Sequence, residues 1–389
     1  MPMIEMNKKF KNWASIIDHV TLEQAYKTAE MPFIWPHLAL MPDAHLGKGA
    51  TVGSVVPTDG AIMPACVGVD IGCGMMAVKT NKKVSDLEGV DLKGLRESIA
   101  SQIPLSAGQQ NNKIKKDAED AVYLLEQAAA NTFDPYSYAK NWAHQVGTLG
   151  SGNHFIEVTK DEDDYIWLFL HSGSRGVGNK IATHHIKVAQ QLAKTYHIKL
   201  PDPDLAYLVE GTPAFDSYIN EMQWAQKFAF YNRQVMMSRV KAAFTHWAGE
   251  FESLQEINCH HNFTQQELHW GKNLWITRKG AISAEKDQWG LIPGSMGTAS
   301  YVVQGLGNPQ SFNSAPHGAG RQHARNQAKK LFDMESLENQ MKGIEWSHSN
   351  AFLDEHPEAY KPIDVVMEDA KDLVVIRHTL NQLVNVKGD

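Results

Sequence analysis

The sequence predicts one large domain of the α+β class, on three observations. Blocks of β-branched and apolar residues punctuated by Gly and Pro recur at 37–80, 147–179, 256–283 and 290–321, the pattern of packed strands joined by close turns. Between them, 91–146 and 177–250 carry apolar residues at helical spacing. No internal repeat, low-complexity run or Pro/Ser-rich linker divides the 389 residues, and a 43% apolar composition can fill a sizeable core.

In chain order, the first thirty residues read as a helix carrying TLEQAYKTAE, and HLALMPD as a short strand entering a turn at Pro42 and Asp43. His45 and Lys48 fall in a glycine turn that suits solvated residues, although both can touch phosphate. Residues 91–146 read as mostly helical, with a polar interruption from Gly108 to Lys116, and show no chemistry. GTLGSGNHFIEV and YIWLFLHSGSRGVGN are strands that each end or begin at a glycine loop with a histidine, His154 and His171. The helical stretch 177–250 reads as an insertion covering one side of the core, and its His184, His185, His197 and His246 as structural. EINCHHNF then brings His260 and His261, and LWITRKGAIS is a strand leaving them. The last glycine-rich block runs to Arg321 and opens a basic helix, RQHARNQAKKLF; a helix and a strand end the chain.

Composition bounds the partners. A formal charge of -7 excludes a broad electrostatic grip on nucleic acid, which needs many Lys and Arg contacts, so any nucleic acid is held locally. Three cysteines without a CxxC pair argue against a disulfide framework and against a thiol-based structural zinc site. The N-terminus lacks the apolar core of a signal peptide, and no run approaches the ~20 apolar residues of a membrane span, so a cytoplasmic protein without membrane contact is expected.

The chemistry sits at the ends of the apolar runs. In ACVGVDIGCGMMAVKT, Asp70 and Cys73 stand three apart in a glycine loop, and a carboxylate with a thiolate makes an anionic donor pair whose sulfur can bridge two ions. Taken alone, DxxC is more often a buried cysteine beside a turn-capping aspartate. With His154, His171 and His261 it becomes five potential ligands on separate strand ends, which is what a di-metal pocket for phosphoryl or nucleotidyl transfer requires. SAPHGAGR is a second constellation: His317 with flexible glycines and Arg321, able to serve as nucleophile toward phosphorus, metal ligand or general base. PGSMGTAS, residues 293–300, offers small hydroxyls and backbone groups to a base edge or a phosphate, and no P-loop GxxxxGK[ST] exists in the chain.

The motifs MPDAHLGKGATVGSV, VGVDIGCGM, GTLGSGNHFIE, HSGSRGVGN, EINCHHN, TRKGAISA, GLIPGSMG, SFNSAPHGAGR and the terminal VKG, in this order, resemble the RtcB family of RNA ligases nearly end to end. The resemblance implies that family's own α+β fold around a deep metal-lined pocket, with residues 1–389 as one catalytic domain. It implies joining of an RNA 3′-phosphate or 2′,3′-cyclic phosphate to a 5′-hydroxyl, with GTP as co-substrate and two Mn2+ ions, in tRNA splicing or RNA repair, with an archease-like activator as a further partner. Carried over by position, Asp70, Cys73, His154, His171 and His261 hold the metals, Cys73 bridging both, and His317 becomes covalently guanylylated. Asn153, His154, Phe155, Ile156, Glu157, His261, Asn262, Pro293, Gly294, Ser295, Met296, Ser300, His317, Gly318, Ala319, Gly320 and Lys387 would bind the guanylate. By affinity order alone the thiolate and imidazoles favour zinc; manganese follows from the resemblance. The competing readings are a manganese phosphodiesterase or cyclic phosphatase using water at the same site, and a non-catalytic RNA-end-binding factor.

Overall fold

The runs GMMAV and YIWLFL lack polar alternation because the sheet that holds them is covered on both faces. The computed structural model describes residues 4–7 and 9–389. In it, seven antiparallel strands follow the order Ser253–His260, Gly74–Lys83, Tyr165–Ser172, Phe155–Lys160, Val374–Val386, Ser300–Gly305, Trp289–Ile292. One face of this sheet, with Met75, Ala77, Phe155 and Phe169, packs against a second sheet through Met41, Val55, Leu274 and Ile276. The other face, with Met76, Val78, Ile156, Leu168 and Leu170, packs against helices through Leu95, Ile99, Val240 and Phe244. Successive side chains of a strand point to opposite faces, so Met75 and Met76 belong to different cores.

The second sheet has six strands in the order Ile4–Asn7, Phe10–Asn12, Leu38–His45, Val52–Thr58, Lys272–Lys279, Asn262–His269, with one parallel pair, Phe10–Asn12 beside Leu38–His45. The chain steps from one sheet to the other at His261, between Ser253–His260 and Asn262–His269. Two short strands, Ala281–Ser283 and Ser314–Pro316, pair beside this corner. The architecture is α+β with several sheets, as expected.

The helices follow their caps and faces. His19–Ala29 starts where the Asp18 carboxylate accepts from the Thr21 amide at 2.8 Å. The N-terminal helix is therefore shorter than expected and is preceded by the strand Phe10–Asn12; residues 1–3 and 8 lie outside the described residues. Residues 177–250 contain most of Arg175–Thr195 and the 36-residue helix Pro213–Ala248, whose N-cap is Thr212. The basic helix begins at Arg325, four residues later than expected, because Arg321 is held in a β-bridge with Tyr360. Near the C-terminus the helix Ile363–Asp369 ends before DLVV, and one long strand, Val374–Val386, takes the remainder.

Pro42 and Asp43 do not form a turn. The strand Leu38–His45 runs through them, and its pairing with Val52–Thr58 slips register between Leu40 and His45, where a Pro without an N–H costs no ladder bond. The slip leaves Asp43 fully buried. Among the described residues, no helix is long and apolar enough to cross a membrane.

Candidate metal centre and nucleotide pocket

Four adjacent strands of the seven-stranded sheet deliver the five expected ligands to one edge. Asp70 and Cys73 precede Gly74–Lys83, His154 precedes Phe155–Lys160, His171 is next to last in Tyr165–Ser172, and His261 follows Ser253–His260. Because the neighbours are antiparallel, two strand starts and two strand ends meet there; register pairs Gly74 with both Ser172 and His260, and His171 with Phe155. The loop before Gly74 is sewn to the corner, since the His261 amide donates to the Cys73 carbonyl at 2.7 Å and the Gly72 amide to that of Asn262 at 2.6 Å. Gly173 lies opposite Asp70, where a Cβ would stand 2.2 Å from the carboxylate, and the Ser174 amide donates to Asp70 Oδ1 at 3.1 Å.

Each imidazole has its Nδ1 on an oxygen acceptor: His154 on the Leu149 carbonyl at 3.0 Å, His171 on the Asn153 carbonyl at 3.0 Å, His261 on the Asn262 side-chain carbonyl at 3.2 Å. On His171 and His261 an Nδ1–H that donates there leaves Nε2 as a lone pair, whereas His154 Nδ1 is also met by the Arg175 guanidinium at 3.1 Å. Those lone pairs converge: His171 and His261 Nε2 are 2.8 Å apart, Cys73 Sγ is 3.3 Å from His154 Nε2 and from His171 Nε2, and His154 Nε2 is 3.1 Å from Asp70 Oδ2. Acceptors facing acceptors repel unless a cation stands among them, so this donor set fits metal ions. The atoms form two groups, Cys73 with His171 and His261, and Asp70 with Cys73 and His154, each within 4.8 Å, and Cys73 is in both.

Electrostatics point the same way. Burial holds His154, His171 and His261 below the usual imidazole range, His171 and His261 well below it, so the rings stay neutral and able to ligate. Burial would raise Asp70, but its polar neighbours, His154 and the Arg175 guanidinium, hold its carboxyl below the usual carboxylate range. Burial and the Asp70 charge push the Cys73 thiol well up, so its ionisation awaits a cation. Behind the loop, the buried Arg233 of Pro213–Ala248 donates to the Gly72 and Ser172 carbonyls at 2.8 and 3.1 Å and to Asn258 at 2.7 Å. The helical stretch thus braces the ligand loop, a role its sequence did not show.

Beside this cluster opens a cavity of about 380 Å³ lined by Asp70, Cys73, His171 and His261 on one side and by His317 on another. The His317 ring lies 4.6 Å, centroid to centroid, from that of His261. Its Nδ1 is 2.6 Å from Asp43 Oδ2, and that oxygen accepts from the amides of His317 and Gly318 at 3.1 and 3.2 Å. Asp43 is therefore part of the site, and it was missed because a Pro-Asp pair before glycines reads as a turn. His45 also departs from the solvated turn expected of it: it lines the cavity, its Nδ1 meets the Asp43 carbonyl at 2.9 Å, and burial lowers it to about 4, while Lys48 stays exposed at the rim.

Asn153, Phe155, Glu157, Asn262, Pro293, Gly294, Ser295, Met296, Ser300, Gly318, Ala319, Gly320 and Lys387 all line the cavity. His154 and Ile156, also expected at the nucleotide, do not line it: His154 stands with Asp70 and Cys73, and strand alternation turns the Ile156 side chain into the helix-covered core, away from Phe155 and Glu157. Arg321 lines the cavity, but its guanidinium is engaged by Glu355 at 2.9 Å and the Tyr360 hydroxyl at 3.2 Å, so it does not stand free beside His317 as SAPHGAGR suggests. Glu157 Oε1 accepts from Asn385 at 3.0 Å while Oε2 has no partner among the described residues, and burial raises the carboxyl to about 8 against the pull of Lys387 and Asn385. A buried carboxyl oxygen without a partner, on a residue that lines the cavity, suits a polar ligand.

Comparison with known proteins agrees with this arrangement. A family model described as tRNA-splicing ligase RtcB matches residues 24–388. The chain is 46% identical to RNA-splicing ligase RtcB1 of one Escherichia coli strain and 45% identical to RNA-splicing ligase RtcB of strain K12, each over 94% of this chain and 93% of the relative. It is 32% identical to tRNA-splicing ligase RtcB of Methanococcus maripaludis over 90% of this chain and 87% of that one. A chain that shares this much of its length with those ligases, and gathers its motifs into one metal-ready cavity, belongs to the RtcB family of tRNA-splicing ligases.

Proposed function

We propose that this RNA ligase, acting as one catalytic domain, seals an RNA 3′-phosphate or 2′,3′-cyclic phosphate to a 5′-hydroxyl through a guanylate carried on His317. The observation that carries the reading is the meeting, in one cavity, of two ligand groups that share Cys73 with a histidine set on a buried carboxylate. Asp70, Cys73, His154, His171 and His261 would hold two divalent cations, manganese by the family resemblance, which would neutralise charge developing at phosphorus.

With Nδ1 against Asp43, His317 has Nε2 available as the nucleophile. It attacks the α-phosphorus of GTP; an N–P bond forms, the bond to pyrophosphate breaks, and the positive charge developing on the ring is met by Asp43. Glu157 Oε2 accepts from the N–H edge of guanine, which adenine does not present. Lys387, buried with its ammonium 3.2 Å from the His154 carbonyl, offers a donor to the nucleotide. The guanylate passes to the RNA 3′-phosphate, the 5′-hydroxyl attacks that activated end, and GMP leaves. A cyclic phosphate is first opened by water to the 3′-monophosphate. A buried thiol with no disulfide suits the reducing cytoplasm, and an archease-like protein is the activator to test.

Incubation with α-labelled GTP and manganese tests the reading. The label should be lost at low pH and kept at high pH, as a phosphoramidate requires. His317→Ala should bind GTP and metal without labelling, yet seal an RNA whose 3′-end is already guanylylated. An acid-resistant adduct, or labelling of His317→Ala, removes the histidine from the mechanism.

A further inference from the structure

Lys361 is buried, 4% exposed, and its ammonium donates to the carbonyls of Pro42 at 3.1 Å and Ala44 at 2.6 Å, the two residues that flank Asp43. Its backbone amide donates to the Gly320 carbonyl at 2.9 Å. Gly320, at φ +76°, lies so close to this strand that a Cβ would fall 2.1 Å from the Asp43 carbonyl oxygen. One residue therefore ties the His317 loop to the strand that carries Asp43, at the point where that strand loses its ladder register.

Burying an ammonium costs several kcal/mol unless hydrogen bonds and an opposite charge offset it. Two carbonyls supply the hydrogen bonds. Between those two carbonyls in the chain stands Asp43, fully buried, which receives two backbone amides on Oδ2 and has no partner on Oδ1 among the described residues. Among the charges acting on Lys361, that of Asp43 leads, ahead of Asp369 and Asp18. Lys361 is not among the residues that line the cavity, so contact with a nucleotide there does not explain it.

We propose that Lys361 is a positioning residue for nucleotidylation: by gripping the carbonyls on both sides of Asp43 and countering its charge, it fixes the carboxylate against His317 Nδ1 and so aims Nε2 at the α-phosphorus. The inference rests on His317 being the guanylylated residue. It separates the two halves of the reaction, because sealing of an already activated 3′-end no longer uses the His317 nucleophile.

The test is Lys361→Met, with Lys361→Arg and Asp43→Asn alongside, each loaded with manganese and given α-labelled GTP and, separately, an RNA with a guanylylated 3′-end. Lys361→Met should label about 10- to 100-fold more slowly, with the KM for GTP and the metal content unchanged, the scale on which loss of an outer-shell partner is felt. It should seal the pre-activated RNA at the wild-type rate, Lys361→Arg should recover much of the labelling, and Lys361→Met combined with Asp43→Asn should be no slower than Asp43→Asn alone. If Lys361→Met does not fold, Lys361→Gln, which keeps an N–H donor without the charge, gives the same readings. Equal loss of labelling and sealing would make Lys361 merely structural, and unchanged labelling or additive losses would also overturn the inference. Absence of a histidine adduct in the wild type would instead defeat the functional reading on which it rests.

Discussion

At the scale of single residues, the site depends on groups whose state is set by burial. Cys73 belongs to both ligand groups, so its loss should be felt twice. Cys73→Ser, whose hydroxyl does not ionise as a thiol does, should lower bound metal per chain and reduce GTP labelling by more than the roughly 100-fold typical of an outer-shell change. It should also exceed the effect of losing any one histidine; metal analysis together with labelling kinetics checks both. Glu157 gives a pH prediction. Its carboxyl rises from 4.5 to about 8 on folding, so across that window the folded protein keeps a proton that the unfolded chain has released. Stability then falls as pH rises through the window. Glu157→Gln should remove that slope, its melting temperature relative to wild type climbing from pH 5 to a plateau above pH 8 in the absence of nucleotide. Guanylate discrimination over adenylate should fall in the same variant.

At the scale of elements, antiparallel strand ends bring the ligands together, and the last strand brings Lys387. Val374–Val386 pairs with Phe155–Lys160 so that Asn385 lies opposite Glu157, and the next turn of chain sets Lys387 beside His154. Lys387→Ala should raise the KM for GTP about tenfold, the worth of one hydrogen bond to a charged group, while metal content holds. Removing residues 387–389 should act alike, and an unchanged KM in both would detach the terminus from the nucleotide. The long helix Pro213–Ala248 contributes at this scale too, because Arg233 ties its middle to the loop of Cys73.

At the scale of the molecule, 37 basic against 44 acidic side chains leave the chain net acidic, and His317 and the candidate ligands gather at one cavity. If RNA is held only at its ends, through two or three phosphates, the logarithm of RNA affinity should fall with the logarithm of salt at a slope of about -2. A slope of -6 or steeper in a binding titration would show that a long tract is held.

The sequence by itself determined the α+β class and singled out the five candidate ligands, His317 and more than half of the cavity lining, because each candidate ligand is a residue type that chemistry restricts, set beside glycines at the end of an apolar run. Periodicity also marked the helical stretches. Only the tertiary structure decided that Asp43 and His45 belong to the site, that Ile156 turns away from it, that Arg321 is committed to Glu355, and that Arg233 and Lys361 hold the loops from behind. The reason is physical. A ligand set is legible when its members keep local signatures, whereas Asp43 and His317 are 274 positions apart and Lys361 and Ala44 are 317 apart, so their partnership exists only after two sheets and a register slip have brought them together.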